Sequence, residues 1–456
     1  MTPETSTARG RVPPGPPGGP FHSILPSLRD DPLNVYLGAQ RSYGDVVRLH
    51  VFGPVYLYLV SHPDDVEHVL RTNVKNYPKG FIADVLRPGL GEGLLTSEGE
   101  LWLRQRRLMQ PAFHRRQVAA FVHTITDATS KLLARWEAFA RSRQAFDVAA
   151  EINNLTLEIV SRTLFGLDVS SEAGPVRQAL VITNEHANYR FTHPFSAPPW
   201  MPTPRNRRSA AALRRLHAIV HQIIDVRRRS PDEHNDLLAR LLAARDAETG
   251  AQMSDKQLRD EVLTILLAGH DTTSNALAWL FYLLTQHPEV EGKLHAEVAA
   301  VLHEKAPTFD DLLELRYTRM VIDEALRLYP PAWATARQAQ AADEIRGYAI
   351  PARSPVVISQ YVTHRHPAFW EAPDTFDPER FSPERSMGRH TFAYFPFSGG
   401  PRQCIGKDFA LMEMQIVLAM VVQRYRLALV PGHPIVPEAM INLRPRHGVC
   451  VRLHEQ

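Results

Sequence analysis

Cysteine is nearly absent from the chain: two occur among 456 residues, Cys404 and Cys450. That number excludes a disulfide framework, and no partner ligand stands two to four residues from Cys404, so a Cys-rich zinc site is excluded as well. His-Glu-x-x-His does not occur either. An excess of charge is missing too. Lys and Arg total 52 against 49 Asp and Glu, a net charge of +3, which gives no case for nucleic acid as a partner. No apolar run reaches the ~18 residues of a membrane-spanning helix. Met1 to Pro20 is polar and then Pro/Gly-rich, with no apolar core and no small-residue cleavage site, so it reads as neither signal peptide nor anchor. Repeats and internal linkers are absent. The expected organisation is a flexible segment over 1–20 and one domain over 21–456.

What is present is an ordinary globular composition, 44% hydrophobic and 22% charged, with one thiol in an unusual setting. Cys404 lies in Phe397-Ser398-Gly399-Gly400-Pro401-Arg402-Gln403-Cys404-Ile405-Gly406. The glycines let backbone approach closely and Arg402 fixes a positive charge two residues from the sulfur. Lys407 to Tyr425 is apolar enough for a long helix, whose positive end would begin just after Cys404. Both features favour a thiolate. A free cysteine is more often a small buried hydrophobe, and Cys450, in the strand-like run Gly448 to Leu453, fits that description. A thiolate at 404 is a metal ligand or a nucleophile.

Along the chain, Asp45–Phe52 and Val55–Val60 predict a β-hairpin around Gly53-Pro54. Tyr77 to Gly99, broken by Pro78, Gly80, Pro88, Gly89, Gly91 and Gly93, predicts a loop lined by Phe81, Ile82 and Leu86. A helix over about 100–110 sets Trp102 and Arg106 on one face, with Arg104, Arg107, Arg115 and Arg116 as a basic surface. The Pro- and aromatic-rich stretch 189–208 suits a lid. Ser254-Asp255-Lys256-Gln257 and Pro288 bound a helix of about 30 residues. Its middle, Gly269-His270-Asp271-Thr272-Thr273-Ser274-Asn275, is polar within apolar halves, and buried polar groups need a reason. Glu324 and Arg327 share one helical turn, Tyr329 to Arg337 is extended, and Val356–Val362 reads as a strand.

Phe397-x-x-Gly400-x-Arg402-x-Cys404-x-Gly406 resembles the haem-binding signature of the cytochrome P450 superfamily at all five fixed positions. Ala268-Gly269-His270-Asp271-Thr272-Thr273 resembles that family's oxygen-activation motif. The resemblance implies a mainly α fold with a smaller β-rich part and a single haem-binding domain. It also implies haem b (iron protoporphyrin IX) with Cys404 as the axial ligand of the iron. Phe397 and Gly406 would line the haem, Trp102, Arg106, Arg337 and Arg402 would hold its propionates, and Ala268 and Gly269 would permit close approach. Asp271 and Thr272 would relay protons to dioxygen. Glu324, Arg327 and Arg380 would form a buried structural set behind the Cys404 loop.

The implied activity is insertion of one oxygen atom of O2 into a small apolar molecule, a fatty acid or a terpenoid. Phe81, Leu86, Ala332, Trp333 and Ala334 are the expected substrate contacts. No flavin or nicotinamide fingerprint is present, so electrons are expected from a ferredoxin or flavodoxin docking on the basic face. The protein is expected to be a cytoplasmic monomer without a membrane anchor. Two other readings stay open. A peroxide-using peroxygenase or isomerase would alter the acid–alcohol pair, and a haem sensor would add a sixth protein ligand, for which His270 is the candidate.

Overall fold

A computed structural model describes residues 10–17, 23–166, 173–193, 195–229, 236–246 and 248–456. The chain clusters into two compact units: Met1–Val85 with Leu326–Phe376 and Pro383–Cys404, and Leu86–Ala325 with Asp377–Ser382 and Ile405–Gln456.

The first unit is built on a four-stranded sheet. Strands β1 (Val46–Phe52) and β2 (Val55–Val60) form the expected antiparallel hairpin, and Gly53 supplies the positive φ of its turn. Strand β3 (Thr335–Gln338) runs antiparallel to β4 (Pro355–Ile358), which lies parallel to β2, giving the order β1-β2-β4-β3. The two-residue period of a strand sends Val47, Leu49, Leu57 and Leu59 to one face with Tyr36 and Val357. Val46, Tyr58, Val60, Val356 and Ile358 face the other way, against Val66, Val69, Phe392 and Phe395. Phe392 and Phe395 immediately precede the Cys404 loop, so the sheet is its foundation.

Within 1–20, the described residues run along the edge of this sheet. Arg48 of β1 donates its N–H to the Pro14 carbonyl at 2.8 Å, and Arg11 bridges to Tyr348. A Cβ on Gly15 would lie 1.9 Å from the Arg48 carbonyl oxygen. The strand expected to run to Val362 ends at Ile358. There the Ser359 hydroxyl accepts from the Val362 N–H and turns the chain into a short helix.

The second unit is helical. Labelled here are α1 (Gly99–Met109), α2 (Val148–Phe165), α3 (Asp255–Gln286) and α4 (Lys407–Arg424). Helix α3 starts as predicted, with Ser254 Oγ accepting from the Gln257 N–H, and packs along α2. The stretch read as a loop over 77–99 instead contains a helix, Phe81–Leu90, with Pro88 in its last turn. The turn that follows is gripped by α3. Asp260 Oδ2 accepts from the Glu92 N–H at 3.0 Å, and Glu261 Oε2 from the Leu94 N–H at 2.8 Å. A Cβ on Gly93 would meet Thr264 Oγ1 at 2.2 Å, so packing against a distant helix, not turn chemistry alone, demands glycine there.

The stretch 189–208 is braced by Asn206, whose Nδ2 donates to the carbonyls of Pro198 and Met201, both at 2.8 Å. Phe195 and Trp200 stand 74% and 80% exposed, so these rings point outward instead of covering a pocket; Pro194 lies outside the described residues. Among the described residues no helix is long and apolar enough to cross a membrane.

Candidate functional site

The Cys404 loop closes on itself. The Phe397 carbonyl accepts from the Cys404 N–H at 2.9 Å, Gly400 from Gln403 at 3.1 Å, and Phe395 from Ser398 at 2.9 Å. Ser398 and Gly400 take φ values of 60° and 67°. A Cβ on Gly400 would lie 2.1 Å from the Leu70 carbonyl oxygen, and one on Gly399 would lie 2.3 Å from Phe392 Cε1. Both glycines are therefore dictated by how closely the loop lies on its own unit. The consequence is an exposed Cys404 thiol above a buried aromatic floor.

Gly406 differs. Its φ is −88° and an added Cβ would meet nothing within 4 Å. Helix α4 starts one residue later. Six residues into α4, Glu413 is buried with Oε1 lacking a hydrogen-bond partner among the described residues, and burial pushes its carboxyl well above the ordinary value. Arg402 and Phe397 are half-buried in the loop, and Cys450 is half-buried at the start of a terminal strand.

The segment leading into the loop is held by Arg327, fully buried, which donates to the carbonyls of His364 (2.9 Å), Pro373 (2.6 Å) and Thr375 (3.0 Å) and lies over the Trp370 ring. Burial, with Arg327 beside it, lowers the His364 imidazole well below its usual value, which suits the bond its Nε2 accepts from the Phe395 N–H. In the helical unit Glu324 is fully buried; its Oε1 accepts from the Asp377 N–H at 2.9 Å and pairs with Arg380 at 3.4 Å. Each member of the expected structural set is buried.

The middle of α3 owes its polarity to several local bonds. Thr272 Oγ1 donates to the Ala268 carbonyl at 2.6 Å, Asn275 Nδ2 to the Asp271 carbonyl at 2.7 Å, and Asn153 of α2 reaches Ser274 Oγ at 3.2 Å. Gly269 sits against α2, where a Cβ would be 3.2 Å from Val160 Cγ2. Ala268 is exposed and Asp271 and Thr272 half-exposed, whereas Leu266, His270 and Thr273 are buried. The helix thus presents an uncovered face at Ala268 and Thr272, one turn apart.

Trp102 and Arg106 are half-buried, four apart on α1. Arg337 is buried on β3, with Nη1 donating to Thr335 Oγ1 and to the Ala336 carbonyl. Of the expected substrate contacts, Phe81 is exposed, Leu86 buried, and Ala332 and Ala334 intermediate. Trp333 stacks on Tyr36 with centroids 6.0 Å apart, within the sheet cluster. In the basic set, Arg107 is paired with Asp246 and Glu248 while Arg115 and Arg116 are exposed. Sequence reasoning gave no role to Asn442, whose Nδ2 donates to Asp271 Oδ2 at 2.5 Å. Nothing in the local sequence signals a contact 171 residues away.

Among the described residues no three His, Cys, Asp or Glu side chains gather around a metal position. Cys404 can hold iron only if the other ligands arrive with the metal, as the nitrogens of a porphyrin do. The exposed thiol beside a bare Gly406 fits a flat group of that kind, and so, in its own unit, does the open face of α3.

A family profile described as Cytochrome P450 matches residues 13–448. Cyclooctatin synthase of Streptomyces melanosporofaciens is 38% identical over 446 residues, covering 97% of this chain and 95% of the relative. Cyclooctat-9-en-7-ol 5-monooxygenase of the same organism is 37% identical, covering 94% and 90%. Among solved structures, the cytochrome P450DA heme domain superposes with a TM-score of 0.90 at 29% identity, covering 98% of both chains.

Proposed function

The chain belongs to the cytochrome P450 family of monooxygenases, and from that premise we propose that it hydroxylates or epoxidises a cyclic terpenoid with one oxygen atom of O2, drawing electrons from a separate ferredoxin or flavodoxin. Membership brings a haem-thiolate cofactor and O2 as co-substrate. The observation that carries the site assignment is the closed main-chain loop that exposes the Cys404 thiol. The substrate class rests on the relative whose name states action on cyclooctat-9-en-7-ol, a cyclic unsaturated alcohol.

In this reading a haem b, when bound, supplies the activation of O2. The protein residues supply the rest. Arg402 would favour Cys404 Sγ as thiolate. Trp102, Arg106 and Arg337 would hold the propionates, matching anionic oxygens with N–H donors. Thr272 Oγ1, which now donates to the Ala268 carbonyl, turns to pass on a proton drawn through the Asp271 carboxyl. Arg115 and Arg116 offer exposed positive charge for an acidic electron carrier.

The test is a spectral-shift screen of cyclic terpenoids and fatty acids against the purified haem protein, followed by turnover with a ferredoxin and its reductase. Cyclic terpenoids are expected to give the displacement spectrum and an oxygenated product. A shift with fatty acids alone would overturn the substrate class, and turnover with peroxide but with no electron carrier would overturn the monooxygenase reading of electron supply.

A further inference from the structure

The Asp271 carboxyl is held from far along the chain. Asn442 Nδ2 donates to its Oδ2 at 2.5 Å. Oδ1 accepts more loosely, at 3.3 Å, from Asn275 Nδ2, whose shorter bond goes to the Asp271 main-chain carbonyl. Asn442 is itself fixed. It closes the hairpin of β5 (Pro437–Ala439) and β6 (Leu443–Pro445), and its carbonyl accepts from the Met440 N–H at 3.2 Å. The next residue, Leu443, is buried, and its carbonyl accepts from Trp279 Nε1 at 3.1 Å. Trp279 is buried on α3, eight residues after Asp271. The hairpin is therefore pinned to the same helix at two points, and the amide reaches Asp271 from a set position.

We propose that Asn442 is a positioning residue for proton delivery, holding Oδ2 of Asp271 in both protonation states so that Oδ1 carries the proton; this rests on the reading of Asp271 as the relay acid. A carboxyl that takes up and gives back a proton alternates between acceptor only and donor plus acceptor. Lysine or arginine would donate to the same oxygen, but its positive charge would favour the carboxylate over the acid. A neutral amide N–H donates to Oδ2 in both states, because Oδ2 remains an acceptor whether Oδ1 is ionised or protonated. The step balances as one proton bound to Asp271 from solvent and one released toward Thr272, with no electron moved. Asn275, bonded more tightly to the main chain than to Oδ1, leaves that oxygen available.

The experiment uses the haem protein with NADPH, ferredoxin reductase and ferredoxin, and follows O2 consumption in water and in deuterium oxide without added substrate. Variants are Asp271→Asn, Asn442→Leu, Asn442→Ser, Asn442→Gln and the Asn442→Leu/Asp271→Asn pair, each first checked for its ferrous-carbonyl spectrum. Asp271→Asn is expected to slow consumption by about a hundredfold, the low end of a general acid's contribution. Asn442→Leu and Asn442→Ser should slow it by about tenfold, with a larger solvent isotope effect, since a held acid is weakened and not lost. Asn442→Gln should recover part of the rate. Adding Asn442→Leu to Asp271→Asn should change neither rate nor isotope effect further, and melting temperatures of the four proteins in that cycle should be non-additive. If Asp271→Asn is harmful and the Asn442 variants leave rate and isotope effect unchanged, or if the two effects add in full, the positioning role is wrong. If Asp271→Asn itself changes nothing, the relay reading fails and this inference fails with it.

Discussion

The Cys404 loop and the middle of α3 achieve rigidity by different means. In the loop the main chain does the holding: three backbone bonds span ten residues, Phe395 to Cys404, and two glycines lie where no Cβ fits. In the helix side chains do it, through Thr272, Asn275, Asn153 and Asn442. A geometry set by main-chain contact tolerates few residue types and leaves a short fixed motif. One set by side chains can draw its partner from anywhere in the chain.

The largest expected effect breaks the loop's chemistry without its geometry. Cys404→Ser should abolish the thiolate-type red-shifted Soret band of the ferrous carbonyl complex, and a variant retaining that band would remove the basis of the comparison. Asp271→Asn should leave the band intact while turnover with an identified substrate drops by about a hundredfold, separating the helix's role from the loop's. Gly400→Ala should lower unfolding free energy by at least about 2 kcal/mol in denaturant titration, because alanine is strained at its positive φ and its Cβ meets the Leu70 carbonyl. Gly406→Ala, whose Cβ meets nothing within 4 Å among the described residues, should leave the stability of the haem-free protein unchanged and weaken haem retention.

The smallest effect concerns Glu413. Its folded carboxyl is raised above 4.5, so folding takes up a proton that the unfolded chain releases near that value. Stability is consequently lost as pH climbs from about 4.5 toward the raised folded value. Glu413→Gln removes this loss, and its advantage over the wild type should grow as pH rises above about 4.5 in urea unfolding. An advantage that shrinks with pH would mean the carboxyl is ionised in the fold. Glu324 is the contrast within the same unit: equally buried, it has the Asp377 N–H and Arg380 as partners.

These regions explain what was legible beforehand. The caps of α3 and the β1–β2 hairpin could be read because each is decided by neighbours in sequence, and the Cys404 loop because its main-chain contacts, with Leu70 among them, admit few residue types and leave a short motif. The helix Phe81–Leu90 was missed because Pro88 and the surrounding glycines lower local propensity, which tertiary packing overrides. Gly91 and Gly93 were read as turn residues, yet Asp260 and Thr264 on α3 are what they must avoid. Trp333, within the extended run Tyr329 to Arg337, was expected to face the substrate by the family resemblance, and its stacking on Tyr36 could be seen only once the strands were paired. Asn442 has no local signature at all.

The segment along β1 has a consequence for solubility. β1 is an outer strand of its sheet, and outer strands present unpaired N–H and C=O groups that recruit other chains. Pro14 accepts the Arg48 N–H, and its proline ring offers no amide N–H for a further strand to bond. Gly15 brings the cover to within contact of the backbone. Removing residues 1–17 would strip that shield and should raise self-association with rising concentration over that of the full chain, visible by light scattering, whereas removing residues 1–9 should leave the scattering unchanged.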